Sequence, residues 1–268
     1  TGPLVRVRRD SATGGDDVEV DVYPDENGGF SLLSPIEDVV EISNNGATQE
    51  DANKNTLYEF VYGQSCDLMV VVWYDQSGNG NDAEQTTTGE QPKIYDSSTG
   101  VVTENGKPAI ELNGTTNVLG ITESFSSSVI FGFIVVADVS SSGNRDVWSN
   151  LDNFNDGVQM RSIASTQTIQ LALNATDTSL VHSSSGQLLS VYGYDGSTVT
   201  LAVDGTSTTA SVSETINVSS GSSLGGRLSP SAGAYMTGTL QEFVLYTSDQ
   251  STNRTGIEKN INEYYRIY

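Results

Sequence analysis

Clusters of Ser, Thr, Gly, Asn and Asp interrupt this chain roughly every 8–12 residues, and short β-branched or aromatic runs fill the intervals. That rhythm is wrong for alternating βαβ units and right for an all-β sandwich or jelly roll. The clearest strand runs are 68–74, 129–137, 169–173, 188–194, 199–203 and 239–246. The runs at 68–74 (LMVVVWY) and 129–137 (VIFGFIVVA) are apolar on both alternations, so each is expected as a central strand covered on both faces. Between Val199–Val203 and Thr206–Val212 stands Asp204-Gly205, the signal of a type I′ hairpin turn.

Two segments carry helical spacing instead. Residues 49–62 begin acidic after Thr48, a good N-cap, and place Leu57, Phe60 and Val61 on one side. Residues 251–268 repeat Ile257, Ile261, Tyr264, Tyr265 and Tyr268, which predicts a C-terminal amphipathic helix. Residues 10–29 differ again: they hold seven carboxylates from Asp10 to Glu26 and no basic residue, which predicts a solvated insertion or hairpin arm, with a cation site as the alternative. Arg6, Arg8 and Arg9 alternate with Val5 and Val7 just before it, a pattern that suits one face of a strand.

The 268 residues fit one large all-β domain over 1–268, long enough to bury roughly 75% of the extended surface without a staple. Cys66 is the single cysteine, so no internal disulfide exists, and its apolar flank predicts a core thiol. Asp and Glu number 34 against 12 Lys and Arg, a net charge of −22. Such a surface repels nucleic acid and anionic lipid, and suits high or marine salt, where counterions screen self-repulsion. No apolar run of about 18 residues occurs, so no membrane insertion is expected. The chain opens at Thr1-Gly2-Pro3 without a leader pattern, and an upstream segment, removed or part of a larger protein, is expected.

A longer pattern joins these pieces. Residues 73–83 (WYDQSGNGNDA), 91–94 (QPKI) and 105–109 (NGKPA), with the opening 1–9 and the ending 239–246, resemble concanavalin-like or laminin-G-like domains. Such domains occur in structural proteins of marine phages and surface proteins of marine bacteria; the pattern is also similar to the catalytic domain of the fungal α-L-arabinofuranosidase B family. The resemblance implies a concanavalin-like jelly-roll β-sandwich with residues of about 10–65 as a protein-specific insertion. It implies a role only loosely, since such sandwiches carry many functions.

Three sets of residues could carry chemistry. In the loop 75–82 (DQSGNGND), Asp75, Asn79, Asn81 and Asp82 offer oxygens for Ca²⁺ on a chain that Gly78 and Gly80 allow to curl; the alternative is that they cap turns through their own backbone. Glu242 resembles, by its place in the strand 239–246, the nucleophile strand of the arabinofuranosidases. A retaining glycosidase needs a second carboxyl about 5–5.5 Å away. In that family the partner lies well downstream, and the adjacent-cysteine sugar contact has no match here, so an outward-facing strand carboxylate is the competing expectation. For sugar binding, an exposed aromatic platform with a polar rim is needed. Trp148, in an expected loop 144–154, and Tyr235 are best placed, with Arg227 near in sequence; Trp148 reads equally well as core. His182 is the single histidine, which leaves no zinc cluster.

The expectation is therefore a non-enzymatic virion or extracellular-surface module: a phage capsid decoration, fibre or tail-associated domain. Its partners would be other virion or surface proteins, further copies of itself as a homo-oligomer, and host-surface glycans. A carbohydrate-binding lectin-like module is the alternative, and a glycoside hydrolase of arabinofuranosidase type the enzymatic one.

Overall fold

The structure is a computed structural model that describes residues 2–41, 53–121, 127–138, 143–153, 156–174, 176–216, 221–228 and 232–268. It is all-β and jelly-roll-like, built of antiparallel strands with one short helix and one C-terminal helix. The chain divides into two compact units, Thr1–Thr103 with Pro108–Glu111, and Glu104–Lys107 with Leu112–Tyr268.

Along the first unit run β1 (Val5–Arg9), β2 (Val18–Val22), β3 (Ile36–Glu41), α1 (Leu57–Val61), β4 (Leu68–Trp73), β5 (Ala83–Glu84), β6 (Lys93–Asp96) and β7 (Gly100–Val101). The short β8 (Thr103–Glu104), β9 (Lys107–Pro108) and β10 (Ile110–Asn113) follow. β1 is central, paired with β2 on one side and β4 on the other. The arm expected over 10–29 pairs as a hairpin with β1, and residues 11–14 and 26–28 are exposed, but its middle is not solvated. β2 lies fully buried between β1 and β3, because the arginines of β1 stand opposite its acids: Arg6 faces Asp21 and Arg8 faces Glu19. Val5 and Val7 meet Val22 and Val20 on the other alternation. Arg6 grips Asp21 with Nε at 2.7 Å and Nη2 at 2.8 Å. Helix α1 is shorter than its spacing predicts. Its N-cap is Thr56, whose hydroxyl accepts from Glu59 N, while Thr48 and residues 49–52 lie outside the described residues. Leu57, Phe60 and Val61 are buried as expected.

The second unit contains β11 (Leu119–Ile121), β12 (Ile130–Asp138), β13 (Arg145–Asn153), β14 (Asp156–Ile163), β15 (Thr168–Leu173), β16 (Thr176–Val181) and β17 (Gln187–Tyr194). These lead to β18 (Thr198–Val203), β19 (Thr206–Ser211), β20 (Ser222–Leu224), β21 (Thr237–Tyr246) and α2 (Arg254–Tyr265). One layer runs β21–β12–β17–β18–β19 and the other β11–β20–β13–β14–β15–β16. The doubly apolar β12 is central, as its sequence predicts. Asp204 and Gly205 both adopt positive φ (49° and 79°), the requirement of a type I′ turn. Trp148 of β13 stacks on Phe243 of β21 at 6.2 Å, which joins the two layers through the core. Ile261 and Tyr265 bring α2 onto Phe131, Phe133, Val135, Leu189 and Val191, on the opposite side of the β12 layer. No helix among the described residues is long and apolar enough to cross a membrane.

Candidate functional site

A connected group of polar side chains lies on β13 and β14. Segment 145–153, expected as a loop around Trp148, is a strand instead. Its register shifts by one residue between Asp146 and Trp148, a bulge at Val147 that resets the alternation. Trp148 then opposes Met160 in the core, while Asp146 opposes Arg161, and Ser149 opposes Gln159, on the other face. Trp148 is fully buried, so it presents no platform to a ligand; its role is in the core.

Asp146 is fully buried. Its Oδ2 accepts from Gln159 Nε2 at 2.8 Å, and Arg161 Nε and Arg227 Nη1 flank the carboxylate at 3.5 and 3.6 Å. Burial pushes its pKa up, and the Gln159 hydrogen bond and the two guanidinium charges pull against that rise. Arg161, 15% exposed, extends the network outward: it donates to Gln159 Oε1, to Gln170 Oε1 at 2.8 Å and to Asp177 Oδ1 at 3.1 Å. Gln170 in turn donates to Ser179 Oγ at 3.2 Å.

Backbone bonds carry Arg227 and Tyr235 to the same place. Asp146 N donates to Ala234 O at 3.0 Å, and Gly225 N to Val147 O at 3.0 Å. Arg227 and Gly233 exchange bonds of 2.8 and 2.9 Å. The Tyr235 ring rests on Gly226, where a Cβ would come within 2.7 Å of Cδ1; only glycine admits this approach. Arg227 and Tyr235 are both half-buried, with their remaining surface open. The structure therefore brings two of the three expected sugar-binding residues together and sends the third, Trp148, to the core. Asp146, Gln159 and Arg161 were not singled out from sequence; the alternation Val158-Gln159-Met160-Arg161 was the available signal.

The loop 75–82 folds by turn-capping bonds. Asp75 accepts from Ser77 N at 2.8 Å, Ser77 Oγ at 2.7 Å and Asn81 N at 3.0 Å, and Asp82 Oδ1 accepts from Asp75 N at 2.7 Å. Asn79 Nδ2 donates to Ser77 Oγ at 2.9 Å. Burial raises the Asp75 pKa, and these donors outweigh it and hold the carboxyl below its ordinary value. Among the described residues, no three or more His, Cys, Asp or Glu side chains gather as a metal site. A calcium role stays a proposal, and a thermal melt decides it. With the carboxylate already holding the turn, Asp75→Asn should lower the melting temperature by a similar amount in chelator, magnesium and calcium. A calcium-specific gain of roughly 2.7 kcal/mol at 100-fold excess over Kd, lost in the variant, would establish the site instead.

Glu242 lies on the face of β21 that α2 covers, not outward as its alternation suggests. Burial raises its pKa, opposed by a hydrogen bond with Tyr265, whose own pKa is raised by burial and by the Glu242 charge. Tyr265 also donates to Gln241 O at 3.2 Å. Cys66 is a buried thiol as expected, and burial pushes it up to about 11.

Among solved structures, a GH54 α-L-arabinofuranosidase soaked with a cyclic sulfate inhibitor matches 97% of this chain and 59% of its own, with TM-score 0.64 and 15% identity. An arabinofuranosidase complexed with arabinofuranosyl-α-1,2-xylobiose matches the same shares, 97% and 59%, with TM-score 0.55 and 16% identity. The likeness is one of fold. The chain spans 59% of the length of these arabinofuranosidases. The Ruminococcus gnavus IT-sialidase CBM40 bound to α2,3 sialyllactose covers 55% of this chain and 92% of its own, with TM-score 0.45 and 12% identity. No family profile and no curated protein sequence matches the chain.

Proposed function

We propose that this chain is a carbohydrate-binding, lectin-like module whose site is the Asp146 face. The observation that supports this most is the convergence of Arg227 and Tyr235 on the Asp146–Gln159–Arg161 network. A sugar ring offers one apolar face and several hydroxyls. Tyr235 supplies a partly open aromatic face, and Arg161 and Arg227 supply planar donors for hydroxyl oxygens. Asp146 touches no solvent; it acts as the buried counterion that holds both guanidinium groups in place. Similarity of fold to arabinofuranosidases fits a glycan ligand without specifying it. Screening the whole chain on a glycan array, followed by calorimetric titration of the hits, tests the proposal. Tyr235→Ala and Arg227→Ala should each weaken binding about tenfold, equivalent to about 1.4 kcal/mol. Binding unchanged in both variants would move the site elsewhere, and a blank array would remove the reading. A surface or virion module would share this binding; a homo-oligomer on a sizing column with a blank array would favour the structural role.

The same reading makes the chain a non-enzyme, with Glu242 as a half-buried helix-facing carboxyl. Its raised folded-state pKa means that ionisation opposes folding. Stability from this group is complete below the unfolded value of about 4.3 and falls as pH rises through the folded value. Glu242→Gln keeps an oxygen for the Tyr265 hydroxyl and cannot ionise. The variant should therefore match wild type near pH 4 and melt higher at pH 8, with no arabinosidase turnover in either protein. Turnover in wild type that disappears in Glu242→Gln would make the chain a hydrolase.

A further inference from the structure

The polar network does not stop at Asp146, and its direction bears on the length of the ligand. Registered neighbours carry it across four strands of the layer: Asp146 of β13 opposes Arg161 of β14, Arg161 opposes Gln170 of β15, and Gln170 opposes Ser179 of β16. Each step is an ion pair or hydrogen bond between side chains on one face, at 3.5, 2.8 and 3.2 Å. Exposure rises along the row, from a buried Asp146 through half-buried Arg161 and Gln170 to exposed Ser179, with Asp177 beside it 48% exposed. Within its layer β16 pairs with β15. Three strand spacings of about 4.8 Å make the row roughly 14 Å long, and Arg227 and Tyr235 add to it at the β13 end.

From this row, and resting on the carbohydrate reading above, we infer that the site takes an oligosaccharide chain of three or more units laid across β13–β16, not a single terminal sugar. A pocket for one sugar closes around its ligand. Here the donors and acceptors form an open strip that is deepest at Asp146 and shallowest at Ser179. One sugar covers only part of it, and each added unit finds further amide, hydroxyl and carboxylate groups. Gln170, Asp177 and Ser179 are then specificity-determining residues for chain length, at a distance from the Tyr235 platform.

Calorimetric titration of the intact chain with xylo-, arabino- and cello-oligosaccharides of one to five units tests this. In a series that binds, Kd should fall about tenfold from disaccharide to tetrasaccharide and then level off. The Gln170→Ala/Ser179→Ala double variant should lose most of that gain, its tetrasaccharide Kd lying within a few-fold of its own disaccharide Kd. Asp177→Asn, a change at an exposed position, serves as a second variant and should reduce the tetrasaccharide gain in the same way. Equal affinity for one and four units, or a tetrasaccharide gain intact in both variants, overturns the inference and leaves the carbohydrate reading standing. Failure of these series and of a glycan array to bind overturns both.

Discussion

Replacing Arg8 with alanine should destabilise the protein by about 3–5 kcal/mol, the cost of breaking a buried ion pair from one side. Arg8 is fully buried. Its Nε donates to Gln91 Oε1 at 2.8 Å, its Nη2 to Asp10 Oδ1 at 3.0 Å, and its Nη1 to Asp17 Oδ1. Gln91 is itself buried and donates to Gln85 O at 2.9 Å, so the cation ties β1 to the segment before β6. Truncation leaves carboxylates facing a space where water enters poorly, and a void where the aliphatic stem packed. By contrast, the Lys259–Glu263 pair on α2 is exposed on both sides and should contribute at most about 1 kcal/mol. Urea unfolding of Arg8→Ala and Lys259→Ala measures the difference. Acid should shrink the Arg8 effect. Burial raises the pKa of Asp17, but bonds from Ser11 and the Arg8 charge outweigh it and hold the group below its ordinary value. A depressed carboxylate contributes stability above its unfolded pKa of about 3.9 and loses it as pH falls through the lower folded value. Wild type should therefore approach Arg8→Ala in that acid range. An Arg8→Ala protein as stable as wild type at pH 7 would mean that the network is solvated after all.

That network also shows where sequence reading stops. The valines of β1 and β2 reveal their alternation to anyone reading the chain. The acids between them look like a solvated arm because their cations lie outside the segment, on the neighbouring strand and across a turn. The same limit hid half of the candidate site. Arg227 and Tyr235 could be chosen by residue type, but Asp146, Gln159 and Arg161 become a group only through β13–β14 register, and the bulge at Val147 breaks the period of two that would have marked β13. Where pattern and local chemistry agree, the structure follows them closely. Strands β12, β17, β18 and β21 lie within two residues of their expected limits, the Asp204-Gly205 turn adopts its expected type, and α2 buries Ile261 and Tyr265. Helix α1 starts later than its spacing predicts because Thr56 supplies the cap that sets its first turn.

Trp148→Ala should be as damaging as Arg8→Ala, for a different reason, and should separate core from site. Trp148 is fully buried, stacks on Phe243 with 25° between ring planes, and stands between Met160 and Leu224 in register. Its removal takes the largest fully buried side chain from the join between the two layers of the second unit. Loss of that transfer energy and the cavity left behind should cost about 3–5 kcal/mol, as for other buried tryptophans and phenylalanines cut to alanine. Tyr235→Ala makes the opposite profile: its half-open ring lies over Gly226, so stability should fall by much less while sugar binding weakens about tenfold. The two variants, compared by urea unfolding and by titration at a temperature where both remain folded, give a crossed result. At that temperature, folded Trp148→Ala should keep sugar affinity within a few-fold, because the Asp146 face points away from the core that Trp148 fills. If Trp148→Ala instead kept wild-type stability and lost sugar binding, Trp148 would be the ligand platform, and the face of β13 assigned to the site would have to be reversed.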